Sequence, residues 1–569
     1  MTRRGDRYYM PGGSDQTLGS FLWRAERMSP DTEIVSRTPE GIERYEYEKY
    51  GERVARLGHA LDGAGVGQGD RVGTFCWNHH RHFETYFGVP NVGAQLHTIN
   101  PLLPNEHIAY IVENAADRVI FVDPSLAEKL AGAVAAEESA FDSVEQFVLM
   151  APSVTEDLDG SGLDLVDYES FLADHESSYE WPALSGEQPA GMCYTSGTTG
   201  MPKGVEYTQS MLWAHTMATL TPQGLGIDDT DVVMPVVPMF HVNAWGMPFS
   251  ATAAGAKQVF PGPSPDPADI AGLIENEGVT LTAGVPTVWF GLLEHMEDND
   301  VDLSALERVV IGGSAAPPSL IRQFDERGVE VVHAWGMTEM SPIGSVAHLK
   351  AGMEGWDDED RYDKRAKQGL MVPGLEFKVI DEDGAEVPWD GEEFGELWVR
   401  GPWVTTEYFE RPEANAEEFV EAPGGTWLKT GDVVTVDPEG YIQIVDREKD
   451  VIKSGGEWIS SVELENALMA HDDVAEATVI GIPHERWQER PVAFVVPGGS
   501  ADEDTLATEL LDMIADEYPK WWVPDDVEFI EEVPKTATGK FSKKDLREEY
   551  ADESLVAGEA PEEAAPGDG

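Results

Sequence analysis

Hydrophobic and polar residues alternate with two different periods along the chain, which indicates a protein built from both helices and strands. Residues 50–61 have the pattern of a helix. Short apolar or alternating runs predict strands at residues 70–76, 118–122, 281–283, 309–311, 329–332 and 441–445. Because strand and helix patterns alternate from about residue 50 onward, we expect parallel sheets covered by helices.

The chain has 569 residues, enough for about three or four structural units. The glycine-dense segment 63–69 precedes its strand, so we interpret it as a turn and not as a dinucleotide fingerprint. The charged segment 354–367 indicates a surface excursion. A boundary near residues 446–450 separates a predicted N-terminal domain, 1–446, from a C-terminal domain, 447–550. Residues 551–569 are rich in Glu, Ala, Pro and Gly, and we expect a disordered acidic tail there.

The charge is strongly negative, with 39 Lys and Arg against 106 Asp and Glu and a formal net charge of −67. This excludes an ordinary nucleic-acid binder or a protein that docks on an anionic membrane. Acidic residues occur along the whole chain, so we expect adaptation to a high-salt cytoplasm, where self-repulsion is screened. Two cysteines, no signal-peptide pattern and no long apolar run predict a cytoplasmic protein without a membrane span.

The most informative motif is residues 194–205, which are rich in glycine, threonine and serine. The glycines let backbone N–H groups approach an anion, the hydroxyls add donors, and Lys203 supplies a positive charge. It is not a Walker A loop, because glycine follows the lysine. We interpret the segment as a polyphosphate cradle, and its candidate residues are Thr195, Ser196, Gly197, Thr198, Thr199, Gly200 and Lys203.

A second motif, residues 333–342, follows a predicted strand. Trp335 can stack on a purine base, Thr338 can bond a phosphate, and Glu339 can hold Mg²⁺ through its carboxylate. Taken alone, the motif also fits a strand and turn with a packed tryptophan.

A third motif surrounds the predicted domain boundary. Asp432 follows a tight turn and can accept hydrogen bonds from two ribose hydroxyls, while Arg447 can add a second ribose or phosphate contact. Lys449 lies at the boundary itself, where a few residues can absorb a hinge rotation.

A fourth motif lies near the end of the second domain. Lys540 follows Thr-Gly, as expected for a mobile loop that presents an amine. The residues that flank it, Lys543, Lys544 and Arg547, form the most basic patch of the chain, and we expect a solvated helix face there.

Two other features favour structural roles. His79, His80 and His82 with Glu84 suggest a metal site, but adjacent histidines on a helix do not share a face, so we expect no metal. Cys193 abuts the phosphate motif and has the character of a small buried hydrophobic residue.

These four motifs, in this order and spacing, resemble the adenylate-forming superfamily of acyl-CoA synthetases, peptide-synthetase adenylation domains and firefly luciferase. The resemblance runs from about residue 15 to 550. Segments 238–245, 283–287, 312–317 and 452–460 look like medium- and long-chain fatty acyl-CoA synthetases. The resemblance to this superfamily implies an α/β fold, with a large N-terminal domain of stacked α/β sheets, a small β-barrel-like subdomain, and a small mobile C-terminal α+β domain.

The resemblance also implies roles for the nucleotide site. Thr195 and Glu339 would ligate Mg²⁺, and residues 195–203 would surround the β- and γ-phosphates of ATP. Thr338 would contact the α-phosphate. Adenine would be framed by Gly313, Ser314, His333, Ala334, Trp335 and Gly336. Trp335 stands where the family usually has tyrosine, which keeps a stacking surface and removes a phenol.

Further roles follow from the same resemblance. Asp432 and Arg447 would bind the ribose, Lys449 would be the hinge, and Lys540 would bridge the substrate carboxylate and the α-phosphate. Lys453 would belong to the same cofactor-binding set. The acyl substrate would be contacted by His241, Val242, Trp245, Gly455, Gly456 and Trp458, with Trp245 as a gate of the tunnel.

The implied activity is an ATP-dependent fatty acid–CoA ligase. The carboxylate reacts with ATP to give acyl-AMP and pyrophosphate, and the thiol of coenzyme A then gives acyl-CoA and AMP. Lys203, Thr338, Glu339 and Lys540 would be catalytic. The alternatives are a ligase for a short-chain, branched or aromatic carboxylate, a luciferase-type oxygenase, and a binding protein without catalysis. Fatty acyl relatives can be homodimers, so a homodimer is also considered.

Overall fold

The structure is a computed structural model. It describes residues 16–39, 41–155, 158, 162–195, 201–263, 265–447, 450–454, 457–471, 473–484, 487–498, 502–535 and 541–550. The chain divides into two compact units. The first comprises Met1–Phe377 and Val399–Lys429, and the second comprises Lys378–Trp398 and Thr430–Gly569. The α/β class with a large N-terminal and a small C-terminal part is confirmed, whereas the exact domain boundaries at residues 446 and 550 stay a prediction.

The strands are numbered in chain order. They are β1 (Glu33–Thr38), β2 (Gly41–Glu46), β3 (Arg71–Phe75), β4 (Gln95–Thr98), β5 (Val119–Val122), β6 (Gln146–Leu149), β7 (Leu165–Asp167), β8 (Pro189–Tyr194), β9 (Gly204–Thr208), β10 (Val232–Pro235), β11 (Lys257–Phe260), β12 (Leu281–Gly284), β13 (Arg308–Ile311), β14 (Glu330–Gly336), β15 (Ile343–Val346), β16 (Leu370–Met371), β17 (Glu376–Ile380), β18 (Phe394–Arg400), β19 (Phe419–Ala422), β20 (Gly425–Val436), β21 (Ile442–Arg447), β22 (Ile452–Ser454), β23 (Glu457–Ile459), β24 (Val474–His484), β25 (Gln488–Pro497) and β26 (Asp526–Phe529).

The helices are numbered in the same way. They are α1 (Gly19–Met28), α2 (Tyr47–Gly63), α3 (His80–Asn91), α4 (Asn105–Ala115), α5 (Ala127–Ala136), α6 (Tyr168–Leu172), α7 (Gln209–Thr219), α8 (Met247–Ala254), α9 (Pro267–Glu277), α10 (Pro286–Asp298), α11 (Pro318–Asp325), α12 (Asp358–Ala366), α13 (Pro412–Glu418), α14 (Ser461–Leu468), α15 (Glu503–Glu517) and α16 (Lys543–Tyr550).

Two large sheets form the centre of the first unit. One has the strand order β7-β6-β5-β3-β4-β8-β9, and the other has the order β16-β15-β14-β13-β12-β10-β11-β1-β2. Most neighbouring strands are parallel, while β9, β2, β15 and β16 add antiparallel pairs toward the edges. Central strands such as β5 are buried at every position, because helices cover both faces of a parallel sheet.

Two smaller sheets complete the fold. One has the order β17-β18-β20-β19 with β21 paired to β20, and the division between the units falls within three of its strands. The other, in the second unit, has the order β23-β22-β25-β24 with β26 paired to β25. Its core includes apolar residues of α14 and α15.

The elements predicted from the hydrophobic pattern are present. The helix expected at residues 50–61 lies within α2, and the six expected strands correspond to β3, β5, β12, β13, β14 and β21. The charged segment 354–367 is on the surface and contains α12, which has no buried residue. Among the described helices, none combines the length and apolarity needed to cross a bilayer.

Candidate active site

The phosphate motif is the connection of a β-hairpin. Strands β8 and β9 are antiparallel, with Tyr194 opposite Gly204. The amide of Thr195 donates to the carbonyl of Lys203 over 3.0 Å, and the amide of Lys203 donates to Thr195 Oγ1 over 3.1 Å. Thr195 and Lys203 therefore close the two ends of the loop. The predicted residues between them, Ser196, Gly197, Thr198, Thr199 and Gly200, lie outside the described residues.

The lysine of the motif is held by an acidic and an aromatic side chain. Lys203 Nζ lies 2.5 Å from Glu418 Oε1 and 4.3 Å from the centre of the Tyr408 ring. The Tyr408 hydroxyl is 2.6 Å from Glu418 Oε2 and 2.8 Å from Glu339 Oε1. The fold thus brings together the predicted phosphate-binding lysine and the predicted metal-binding glutamate on either side of one phenol.

Tyr408 is fixed by its own backbone as well as by its hydroxyl. Its amide donates to Asn415 Oδ1 over 2.7 Å, and the amide of the next residue, Phe409, donates to the carbonyl of Gly204 over 2.8 Å. Burial, followed by the Glu339 and Glu418 carboxylates, raises the pKa of Tyr408 far above its ordinary value. The phenol therefore stays protonated, and its single proton serves two carboxylates.

The second motif lies on β14 and the turn that follows it. A Cβ at Gly336 would lie 2.1 Å from the carbonyl oxygen of Pro342. The backbones of these two residues therefore approach so closely that only glycine fits at position 336. Thr338 and Glu339 follow in a short 3₁₀ helix, Thr338–Met340. The Tyr207 hydroxyl donates to the carbonyl of Thr338 over 2.8 Å, which connects this turn to β9.

The residues predicted to frame adenine lie at the ends of β13 and β14. Gly313 and Ser314 are exposed, Ala334 is half-buried, and Trp335 is buried. A Cβ added at Gly344 would meet the Trp335 ring at 2.4 Å, so the ring packs directly on that glycine. Burial lowers the pKa of His333 to about 4, so this imidazole is neutral at physiological pH.

The predicted acyl-site residues include a left-handed turn. Val242, Asn243, Ala244 and Trp245 have φ angles of 44°, 54°, 50° and 55°. Such angles cost roughly 1–2 kcal/mol for each non-glycine residue. The turn follows His241, and a Cβ at Gly312 would lie 3.2 Å from Trp245 Cη2. The predicted gate therefore adjoins the strand end that leads to Gly313.

The predicted ribose residues pair with each other in the second unit. Asp432 on β20 is opposite Arg447 on β21, and Arg447 Nε lies 2.7 Å from Asp432 Oδ1. Arg447 Nη1 also donates to the carbonyl of Thr430 over 3.2 Å. Asp432 is buried, while the Arg447 side chain is 44% exposed. The pair presents a fixed carboxylate beside an accessible guanidinium.

The remaining predicted residues of the C-terminal part are only partly described. Lys453 Nζ lies 3.6 Å from Glu382 Oε1, and the backbone of Trp458 pairs with Lys453 between β23 and β22. Lys449, Gly455, Gly456, Lys540 and the tail 551–569 lie outside the described residues.

The expectation of a solvated face on α16 is wrong for Lys543. Its Nζ lies 2.8 Å from Glu465 Oε1 and 3.9 Å from Asp446 Oδ1, and it donates to Ser461 Oγ. Burial opposes its charge, but Glu465 and then Asp446 outweigh this and raise the pKa of Lys543. Arg547 also pairs, with Asp450 at 2.7 Å. Lys543 and Arg547 therefore stabilise the second unit internally, whereas Lys544 is exposed, as expected.

The histidine cluster has structural partners. His79 caps α3 by accepting from the amide of His82, and His82 Nδ1 lies 2.9 Å from the carbonyl of Trp77. Glu84 binds Arg53 Nε over 2.7 Å. Cys193 is buried, as expected, and burial raises its pKa.

The residues predicted to hold Mg²⁺ have suitable chemistry. Glu339 offers a carboxylate and Thr195 a hydroxyl, and Mg²⁺ is usually bound by one or two carboxylates together with substrate phosphates. Within the described part of the chain, no cluster of three or more His, Cys, Asp or Glu residues suits a metal. An ion shared with a bound triphosphate is compatible with this donor set.

Sequence reasoning missed Tyr408 and Glu418. A proline at the start of α13 marks a helix N-terminus, but the local pattern does not indicate that the Glu418 side chain points toward Lys203. Its importance comes from a contact with a residue 215 positions away.

Comparisons with known proteins identify the family. Residues 21–409 match the AMP-binding enzyme family, and residues 463–540 match the AMP-binding enzyme C-terminal domain. The chain therefore belongs to the AMP-binding enzyme family, as the motifs predicted.

Curated relatives match over nearly their whole length. The chain is 45% identical to a long-chain-fatty-acid–CoA ligase of Thermus thermophilus, covering 94% of this chain and 95% of the relative. It is 43% identical to a 3-methylmercaptopropionyl-CoA ligase of Ruegeria lacuscaerulensis, with 94% and 97% covered. It is 40% identical to a medium-chain-fatty-acid–CoA ligase of Ectopseudomonas oleovorans, with 94% and 96% covered. These relatives bear out the predicted enzyme class, an AMP-forming acyl-CoA synthetase.

Solved structures agree with the fold. An anthranilate CoA ligase in complex with anthranoyl-AMP superposes with a TM-score of 0.84 at 24% identity, covering 95% of this chain and 98% of that one. This likeness supports the α/β architecture.

Proposed function

We propose that the protein is an ATP-dependent fatty acid–CoA ligase that acts on medium- to long-chain acids. The observation that carries the proposal is the convergence of Lys203 and Glu339 on Tyr408. It joins the two charged groups that a magnesium–triphosphate complex requires. The identity to fatty acid–CoA ligases of both chain-length classes supports the choice of substrate.

The first half-reaction brings two anions together, a carboxylate and ATP. Positioning and charge neutralisation therefore dominate its catalysis. Lys203 binds the β- and γ-phosphates, Thr338 contacts the α-phosphate, and Lys540 bridges that phosphate and the carboxylate. Mg²⁺, held by Glu339 and Thr195, would supply further positive charge when bound.

The nucleoside is held by two other sets of side chains. Trp335 and the residues around it frame adenine, and the Asp432 carboxylate accepts hydrogen bonds from the ribose. Arg447, already paired with Asp432, holds that carboxylate in a fixed orientation.

The second half-reaction needs the thiol of coenzyme A at the acyl-adenylate carbonyl. Lys540 serves adenylation only, and the C-terminal part rotates about Lys449 between the two steps. We expect Lys540→Ala to abolish acyl-adenylate formation and to leave thioester formation from supplied acyl-adenylate largely intact. Separate assays of the two half-reactions measure this, and an equal loss in both would contradict the division of roles.

A panel of carboxylic acids from two to eighteen carbons tests the substrate. Pyrophosphate release and CoA thioester are measured with ATP and Mg²⁺ in molar KCl. Each methylene buried in the tunnel contributes about 0.8 kcal/mol, so kcat/KM should rise about fourfold per methylene until the tunnel is full. Absence of pyrophosphate with every acid would refute the proposed function.

The same panel tests the alternative, a ligase for a shorter carboxylate. The 43% identity to a 3-methylmercaptopropionyl-CoA ligase favours including that acid. A higher kcat/KM with 3-methylmercaptopropionate or butyrate than with octanoate would move the assignment to short chains. Light emission or oxygen uptake with any acid would indicate the oxygenase alternative.

The setting of the enzyme is also part of the proposal. The net charge of −67 supports a salt-adapted cytoplasmic protein, because molar salt reduces the Debye length to about 3 Å. Activity should rise strongly between low salt and molar KCl, and equal activity in both would count against salt adaptation. Light scattering of the purified protein tests the homodimer.

A further inference from the structure

Glu418 forms an ion pair with Lys203, the residue that we propose binds the triphosphate. Lys203 Nζ lies 2.5 Å from Glu418 Oε1, and the other oxygen of that carboxylate is held by the Tyr408 hydroxyl at 2.6 Å. The side chains of Lys203 and Glu418 are 26% and 33% exposed. The ion pair is therefore ordered but still reachable by a ligand from solvent.

The surroundings of the ammonium group explain why this contact competes with phosphate. One side of Lys203 Nζ faces the Glu418 carboxylate and another faces the Tyr408 ring. A phosphate that approaches the same ammonium meets the negative charge of Glu418 at close range. Because the Tyr408 hydroxyl fixes Glu418, the carboxylate does not swing away without losing a second bond.

We infer that Glu418 is a positioning residue that holds Lys203 when no nucleotide is bound and is displaced from it by the β- and γ-phosphates. This inference rests on the proposed role of Lys203 in phosphate binding. Glu418 weakens the binding of ATP and also of the product pyrophosphate. It returns the lysine to its resting position as pyrophosphate leaves. AMP has neither the β- nor the γ-phosphate, so its affinity is independent of Glu418.

The direction in which Glu418→Gln changes the affinity for ATP distinguishes this role from two alternative roles of Glu418. If Glu418 competes for Lys203, Glu418→Gln tightens ATP binding. If Glu418 were a ligand of Mg²⁺ or served only to hold α13 in place, the same change would weaken ATP binding or leave it unchanged.

The experiment measures the Kd of MgATP, magnesium pyrophosphate and AMP by calorimetry on the full chain, with no carboxylic acid substrate present. Glu417→Gln is the matched control, because Glu417 is the exposed neighbour on the same helix. In Glu418→Gln we expect the Kd of MgATP and of pyrophosphate to fall about three- to fivefold, as for release of a partly exposed ion pair. The Kd of AMP should stay within about twofold of the wild type.

Two further measurements distinguish competition from a structural change. In steady-state assays of Glu418→Gln, the KM for ATP should fall while kcat stays unchanged. In a Lys203→Met background, Glu418→Gln should tighten MgATP binding much less than it does in the wild type, because the ammonium for which Glu418 and the phosphates compete is gone and only the direct repulsion between carboxylate and phosphate remains. Thermal melting verifies that each variant is folded.

The outcomes separate the inference from the function on which it rests. If Lys203→Met alone binds MgATP as well as the wild type, the phosphate role of Lys203 fails. If Lys203→Met weakens MgATP binding but Glu418→Gln behaves like Glu417→Gln or binds MgATP less tightly, only the role of Glu418 is overturned.

Discussion

Replacing Glu84 by glutamine tests whether the cluster at the start of α3 is structural. Glu84 is fully buried. Its carboxylate accepts from Arg53 Nε at 2.7 Å, from the Tyr45 hydroxyl at 2.8 Å and from the Tyr168 hydroxyl at 2.7 Å. Burial, followed by the Glu84 charge, raises the pKa of both phenols, so they remain donors.

The expected loss follows from these three hydrogen bonds. A bond to a charged acceptor contributes about 1.5–3 kcal/mol, against about 0.5–1.5 kcal/mol for a neutral one. Glutamine keeps one acceptor oxygen for Arg53 and Tyr45, at a cost of about 1 kcal/mol for each bond, whereas its NH2 group replaces the oxygen that accepts from Tyr168, so that this hydroxyl must turn and accept instead. We therefore expect a cost of about 3 kcal/mol in total. Arg53 is not left unpaired, because it keeps two 2.9 Å contacts to Glu169.

The assay is urea unfolding in molar KCl, followed by tryptophan fluorescence. Glu52→Gln is the matched control, because Glu52 lies on α2 and pairs with Lys49 at 3.2 Å while both side chains are partly exposed. Such a pair contributes about 0.2–0.5 kcal/mol, and molar salt screens it. The free energy of unfolding should fall by about 3 kcal/mol for Glu84→Gln and by less than about 0.5 kcal/mol for the control.

Two results would refute this reasoning. A loss below about 1 kcal/mol for Glu84→Gln would show that the buried charge is not important for stability. Alternatively, a metal chelator that destabilises the wild type and has no effect on the variant would show that Glu84 and the nearby histidines bind a metal ion.

Three further predictions concern other parts of the first unit. Burial lowers the pKa of His215 to about 3, below its ordinary 6.5, so its contribution to stability is full above pH 6.5 and is lost as the pH falls. His215→Gln should therefore flatten the pH dependence of the unfolding free energy between pH 6 and 5 by about 1.4 kcal/mol per unit, measured by urea unfolding. Ala244→Gly removes the strain of a left-handed backbone conformation at a non-glycine residue, whereas Ala251→Gly places a poor helix former in the middle of α8. In the same assay, Ala251→Gly should therefore lower the free energy of unfolding by at least about 1 kcal/mol more than Ala244→Gly does. Gly344→Ala forces the Trp335 ring to move, and steady-state kinetics should show the KM for ATP raised about tenfold, equivalent to about 1.4 kcal/mol. An unchanged KM would argue against the adenine role of Trp335.

The hydrophobic pattern was sufficient to locate some of the central strands, namely β3, β5, β12, β13 and β14. Strands such as β5 and β13 are short segments rich in β-branched residues and largely buried, and such segments are recognisable without tertiary information. The phosphate motif was equally recognisable, because its glycines, hydroxyls and lysine are contiguous, and the order of the four motifs was enough to predict the enzyme family.

Contacts between distant segments were not predictable in this way. Val242 is β-branched, and nothing in its neighbourhood predicts a left-handed turn, which only the surrounding packing enforces. Lys543 lies on a helix of charged residues that has the pattern of a solvated face, yet carboxylates from other elements surround it.

The sequence by itself therefore determined the class of fold and the family, and it supplied the residues that we propose bind ATP, because these depend on local composition and on spacing. The tertiary structure decided which charges meet. Lys203 and Glu418 are separated by 215 positions, and a side-chain pairing of this kind depends on how the sheets and loops pack rather than on the residues that surround either partner.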